Sequence, residues 1–308
     1  MKNKTRQLVS ITTLIIVAIG IGFYLKANER LLLSLSNISL ASAFWLIVFR
    51  ILFLATNGLF LRAFAAKFDI QLTIKEWVGI PIVTAMGNYV TPFSGGMIAR
   101  AAYLKYRHAF PYARFATLLA SNYLVNFWVV GVIGFLASLT FISTSRFFWQ
   151  IPLFFIVVVG GISMLVILPS VKLSWNNRLS EVINTSLEGW TLVKNDKLLL
   201  VKLVIYSLAN ILLNGLSFWI AYAALGVYVS FIEALLIGLL AVFSILLNIT
   251  PGNLGVQEAV VGLSSALLGT GAGHGLLAAL LIRSSTMIIV FTLGPVFSYI
   301  LTRDLTTE

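Results

Sequence analysis

The 308-residue chain has no cysteine and only two histidines, His108 and His274. That leaves no basis for a disulfide framework, a Cys/His zinc site, iron–sulfur ligation or a cysteine nucleophile. Charge is scarce too: Asp, Glu, Lys and Arg make up 10% of the residues against 59% hydrophobic, and mean hydropathy is +1.00. A soluble domain of this size needs far more charge to cover its surface. Acid is the scarcer sign, with 10 Asp and Glu against 21 Lys and Arg, for a net charge of +11. No RNP-like or helix-turn-helix pattern accompanies the excess, so it reads as a positive-inside bias and attraction to anionic lipid, not as nucleic-acid binding. A nucleotide-binding GxxxxGK[ST] pattern is also missing, so any transport runs on a gradient or downhill. No cofactor or metal is implied.

What is present is apolar sequence in runs that reach the ~20 residues needed to cross a ~30 Å hydrocarbon core. The first, Leu8 to Leu25, is longer than a signal-peptide core, and the "KANER" that follows is not a small-residue cleavage site, so it reads as an uncleaved first transmembrane helix. The others are 39–64, 77–104 (broken at Thr91-Pro92), 113–142, 148–168, 198–224, 231–267 (broken at Thr250-Pro251) and 275–302. The expected fold is an all-α polytopic membrane protein with about six full transmembrane helices plus two Pro/Gly-broken hairpins, re-entrant or double-spanning. It forms a single integral membrane domain: 1–38, a first helix and outer loop; 39–142, a first repeat; 143–197, a linking helix and polar stretch; 198–302, a second repeat. In the polar stretch Leu179, Val182, Ile183, Leu187 and Trp190 fall at helical spacing. That pattern suits an amphipathic helix on the membrane surface or, equally, a linker helix packed on the helix ends.

Charge sets the topology. With the N-terminus inside and each broken segment leaving the parity unchanged, 15 basic residues fall in cytoplasmic segments and three, Lys26, Arg30 and Arg146, fall outside. This bias gives cytoplasmic N- and C-termini. The first broken segment is then entered from the cytoplasm and the second from outside. Each lies between two long helices, so the chain reads as an inverted repeat, a common plan of secondary transporters.

The breaks carry related motifs. Residues 88–96 read "NYVTPFSGG" and residues 248–258 read "NITPGNLGVQE". Thr can cap a helix and Pro fits its first position, so Thr91-Pro92 and Thr250-Pro251 predict two half-helices starting inside the membrane, with Asn88 and Asn248 capping the preceding halves. Gly95, Gly96, Gly252 and Gly255 let a backbone or headgroup approach closely. A half-helix N-terminus offers free N–H groups and partial positive charge, so two of them would form a midplane anion site. The alternative is a pair of structural proline kinks.

Buried charges point the same way. Arg283 falls about nine residues into the last apolar segment, roughly 13 Å deep at 1.5 Å per residue. Glu258, seven residues past Pro251, is its expected partner, either at a binding site or as a fixed salt bridge. Arg50 is a second candidate near the middle of its segment. Arg100, eight residues past Pro92, either contacts a headgroup or snorkels, and Arg62 snorkels. Asn122, Tyr123 and Asn126, and the similarly spaced Asn210 and Asn214, are expected to bridge helices by hydrogen bonds or to line a cavity. His108 and His274 have no nearby carboxylate in sequence and read as interfacial residues.

With "TPGNLGVQEA", "AALLIRSS" carrying Arg283, and the looser "TPFSGGMIARAAYL" carrying Arg100, the chain resembles the lysylphosphatidylglycerol synthase transmembrane-region family of flippase-like proteins over nearly its whole length. The resemblance implies a Pro-Gly-x-x-Gly-x-x-Glu motif followed by an Arg helix. Members often carry Glu-Arg after the first motif, where this chain has Ser121-Asn122, so no role of that pair carries over. Two-domain relatives add a soluble aminoacyl-transferase domain that this sequence lacks, so lipid aminoacylation is not expected of it. The expectation is a transporter-like protein of a bacterial or archaeal inner membrane that moves an anionic, phosphate-bearing lipid. The substrate would bind around Thr91, Pro92, Gly95, Gly96, Arg100, Thr250, Pro251, Gly252, Gly255, Glu258, Arg283 and Arg50. Two alternatives stay open: an ion-coupled carrier of a small soluble anion, and a non-transporting partner of a membrane glycosyltransferase or lipid-modifying enzyme. The headgroup, coupling ion, direction and oligomeric state are not written in the sequence.

Overall fold

The computed structural model describes residues 38–91, 94–141, 149–167, 184, 190–191, 193–247 and 250–306. The expected first helix at 8–25, most of the 172–197 stretch, Pro92 and Asn248 lie outside the described residues. Among the described residues there is no strand, and nine α-helices follow one another: α1 Leu40–Ala66, α2 Ile74–Val90, α3 Gly95–His108, α4 Tyr112–Leu139, α5 Gln150–Ile167, α6 Lys197–Ala224, α7 Phe231–Val242, α8 Val256–Leu267 and α9 Ala272–Thr306. Helices follow from the solvent, because hydrocarbon offers no partner for a free backbone N–H or C=O. Four of them, α1, α4, α6 and α9, are long and apolar enough to cross a membrane. Their bounds fall within a few residues of the expected runs at 39–64, 113–142, 198–224 and 275–302.

Polar residues set the ends. Pro111, in extended backbone, precedes α4. Ser230 and Glu233 form a capping box at α7: the Ser230 hydroxyl accepts from Glu233 N–H at 3.2 Å, and the Glu233 carboxylate accepts from Ser230 N–H at 2.6 Å. Asp196 caps α6 by accepting from Leu199 N–H at 3.0 Å. Both stretches expected to be broken are broken: α2 and α3 flank the first break, and α7, two short 3₁₀ turns (Phe243–Leu247 and Pro251–Asn253) and α8 make up the second. Long helices flank both breaks, α1 and α4 the first and α6 and α9 the second.

The chain divides into two compact units. The first contains 38–55, Ile74–Arg100 and 212–306 among the described residues. Here α9 packs on α2 and α8, and α7 on α8. Leu54, Ile82, Ile289 and Val290 are buried together against Met86, Tyr89 and Phe297. Both breaks belong to this unit. The second contains Thr56–Thr73 and the described part of 101–211, with α4 packed along α5. There Asn210 donates to the Thr56 hydroxyl at 2.8 Å, Trp128 donates to Ser163 at 3.1 Å, and Lys67 pairs with Asp196 at 2.9 Å.

Candidate functional site

The second break is a built turn. After the 3₁₀ end of α7, Thr250 is extended, Pro251 opens the short 3₁₀ turn, and three of the next four residues take positive φ: Gly252 at 59°, Asn253 at 57° and Gly255 at 86°. That region is cheap only for Gly and Asn, which these positions supply. The turn directs the Gly252 and Asn253 carbonyls onto Arg283. Its Nη1 donates to Gly252 O at 2.6 Å, and its Nη2 to Asn253 O and to Gln257 Oε1, both at 3.3 Å. Its Nε donates to Glu258 Oε1 in a buried ion pair. The other Glu258 oxygen accepts from Gly255 N–H at 2.6 Å. Asn253 Nδ2 reaches back to Ser244, 3.0 Å from its carbonyl and 2.9 Å from its hydroxyl, tying the turn to the end of α7. Asn253 Oδ1 is buried without a hydrogen-bond partner.

This corrects the expectation that Thr250-Pro251 starts a half-helix. The left-handed residues forbid a continuous right-handed helix, so α8 starts at Val256, five residues past Pro251. Thr250 does not cap it; its hydroxyl donates to Leu254 O at 2.8 Å. The amide of Gly255, just ahead of α8, is taken by Glu258.

The first break departs from expectation in a similar way. Thr91 closes α2 and does not open α3: its N–H and its hydroxyl both donate to Gly87 O, at 2.9 and 2.6 Å. After Ser94, with φ of 56°, α3 begins at Gly95. Gly95 lies against the Thr91 side chain. Gly96 is buried so close to the Thr84 carbonyl that a Cβ there would overlap it. Asn88 Oδ1 lies beside Gly96, buried and with no hydrogen-bond partner.

The two breaks meet through Tyr89, the last residue but one of α2. Its ring covers Gly252 and stands 5.7 Å from the Arg283 guanidinium carbon. Arg50 of α1 reaches the same place: its Nε donates to Thr286 Oγ1 at 3.0 Å and its Nη1 to Asn214 Oδ1 at 3.3 Å, over the Phe53 ring at 4.1 Å. Asn214 also donates to Gly238 O at 3.2 Å, bridging α6 to α7. Thr286 sits three residues past Arg283 on the same face of α9. Arg283, Arg50 and Glu258 all act electrostatically on the Tyr89 hydroxyl. Arg50, Glu258 and Arg283 are 8%, 1% and 5% exposed, and Arg50 meets no carboxylate among the described residues. The cluster thus buries two positive charges and one negative.

Of the expected site residues, Arg50, Gly252, Gly255, Glu258 and Arg283 come together, with Thr250 and Pro251 in the same turn. Thr91, Gly95 and Gly96 form the neighbouring α2–α3 break. Arg100 lies half-buried on α3 and is not among the charges acting on Tyr89. Arg62 is exposed, as snorkelling requires. The sequence reading missed Tyr89, Asn253, Gln257 and Thr286. Tyr89 and Asn253 stood inside the two quoted motifs, and Thr286 stood one turn from a buried arginine.

The chain matches no curated protein and no solved structure. Residues 7–294 do match one family, described as the lysylphosphatidylglycerol synthase TM region, and the match takes in both breaks and the three charges of the cluster. With four helices long and apolar enough to span a bilayer, the chain is a multi-pass membrane protein that belongs to the lysylphosphatidylglycerol synthase transmembrane-region family.

Proposed function

We propose that the protein moves the phosphate-bearing headgroup of an anionic lipid, a phospholipid or a polyprenyl phosphate, across a prokaryotic cytoplasmic membrane, with both termini cytoplasmic. One observation carries this reading: the polar cluster of α1, α2, α8 and α9 holds an unbalanced positive charge. A cation in a low-dielectric interior is costly unless paired, and an anionic headgroup supplies the missing charge while its chains stay in the bilayer. The headgroup contacts we place beside the cluster are those of the two motifs, Thr91, Pro92, Gly95 and Gly96 in the first and Thr250, Pro251, Gly252 and Gly255 in the second. Arg100, on α3, is a contact on the cytoplasmic approach. Movement is downhill or gradient-coupled, and the membrane region acts as a transporter, not as an aminoacyl transferase.

The test is translocation by the purified chain in proteoliposomes containing trace NBD-labelled anionic lipid. Dithionite should quench well beyond the outer-leaflet half. Quenching equal to that of empty liposomes, across several phospholipids and a polyprenyl phosphate, would remove the proposal and favour a soluble-anion carrier or a partner of a glycosyltransferase or lipid-modifying enzyme.

A further inference from the structure

We infer that Arg50, and not Arg283, holds the translocated anion, and that the site takes a singly charged phosphodiester in preference to a doubly charged phosphomonoester. The inference rests on the transport reading above and divides its two arginines by their unused hydrogen-bonding capacity.

A guanidinium has five N–H donors and no acceptor. Arg283 places four of them: Nε on Glu258, one Nη1 hydrogen on Gly252 O, and Nη2 on Asn253 O and Gln257 Oε1. Each of those acceptors belongs to the 252–258 turn, so Arg283 is spent on holding that turn. Arg50 places two, on Thr286 and Asn214. One Nη1 hydrogen and both on Nη2 meet no acceptor among the described residues. Thr286, Asn214 and the Phe53 ring fix the plane of the group, which leaves a pre-oriented fork of the kind that binds two oxygens of a phosphate.

Charge then selects the ligand class. Glu258 neutralises Arg283, so the cluster carries one net positive charge. One phosphodiester balances it. A phosphomonoester, with a second pKa near 6, carries about two negative charges at pH 8 and leaves one buried and unmatched. A lipid headgroup and a small soluble phosphodiester share this chemistry, so both are tested.

The experiment uses the full chain in proteoliposomes at pH 8, with acyl-NBD phosphatidylglycerol as the diester lipid, acyl-NBD phosphatidic acid as the monoester lipid, and radiolabelled glycerophosphoglycerol as the soluble diester. Wild type should move phosphatidylglycerol at least about tenfold faster than phosphatidic acid. Arg50→Gln should slow phosphatidylglycerol at least about tenfold, with an unchanged melting midpoint. Arg50→Lys, which keeps the charge and loses the fork, should fall between. Arg62→Gln, exposed on the same helix, should match wild type. If Arg50→Gln does not fold, Arg50→Lys decides, and wild-type rates there overturn the assignment. Working wild type with an undiminished Arg50→Gln overturns the role of Arg50 and leaves lipid transport standing. Phosphatidic acid moving as fast as phosphatidylglycerol overturns the charge rule alone. Arg50-dependent entry of glycerophosphoglycerol without lipid movement keeps the assignment and removes the lipid. Wild type that moves none of the three overturns the phosphodiester assignment, and the transport reading falls with it only if the wider panel of phospholipids and a polyprenyl phosphate also fails to move.

Discussion

Glu258→Gln is the sharpest test of the turn. Glu258 is 1% exposed and holds two donors at once, Arg283 Nε on one oxygen and Gly255 N–H on the other at 2.6 Å. An amide has one oxygen for those two donors and presents an NH₂ group to the other. It also leaves the Arg283 cation buried with no anion beside it. Removing one member of a buried ion pair costs about 3–5 kcal/mol. The carbonyls of Gly252 and Asn253 still solvate the guanidinium, which argues for the lower end, about 3 kcal/mol. At roughly 2–4 °C per kcal/mol this is a fall of about 6–12 °C in melting midpoint, readable by tryptophan fluorescence in detergent. Arg283→Met should destabilise as well, by stranding the carboxylate. Glu258→Gln/Arg283→Met removes both charges and should melt well above the sum of the single losses, with a coupling energy of about 2–3 kcal/mol. Strictly additive losses, or a Glu258→Gln midpoint within about 2 °C of wild type, would show that the pair does not hold the turn.

Two further perturbations probe other parts of the fold. Gly96→Ala drives a Cβ into the Thr84 carbonyl, a backbone atom that cannot step aside, so α2 and α3 must separate. Folded yield by size-exclusion chromatography should collapse, whereas Ile98→Ala, on an exposed face of α3, should be neutral. The Asp196 carboxyl is held below its ordinary value of 3.8, first by the Leu199 N–H and then by Lys67. A carboxyl depressed on folding stabilises the fold above its unfolded pKa and loses that contribution as pH falls through the folded value. The midpoint difference between wild type and Asp196→Asn should therefore be present at pH 6 and shrink steadily as the pH drops below about 4; a difference that persists in acid would contradict this.

The membrane class and the helix bounds were legible because they rest on local composition. A run such as 198–224 has no low-energy option in hydrocarbon except a helix, and α6 spans Lys197–Ala224. The breaks were legible for the same reason, since Pro and Gly cluster where the apolar run continues on both sides. The division into units was not legible. It runs through α1, α3 and α6, and nothing in an unbroken apolar helix marks where its neighbours change.

At the site, the pairing of Arg283 with Glu258 was legible because two charges in apolar segments have few other partners. The sign of the turn was not. Thr-Pro signals a helix start by a local rule, but Gly252, Asn253 and Gly255 take the left-handed region together, and no pairwise rule combines three such choices. Their effect is to turn carbonyls, not amides, toward the centre, and carbonyls bind a cation. Arg283 fills that role, and Glu258 occupies the amide end that an external anion would have used. Arg50 draws its partners from Asn214 and Thr286, 164 and 236 residues away, a separation no periodicity can bridge. Once the turn has neutralised Arg283 internally, the charge left over among the described residues is the one on Arg50, held there by neutral groups with part of its fork unused. In a low-dielectric setting a pair closed on itself contributes structure, while an unmatched charge raises affinity for whatever anion can reach it, so any ligand of this site should follow Arg50.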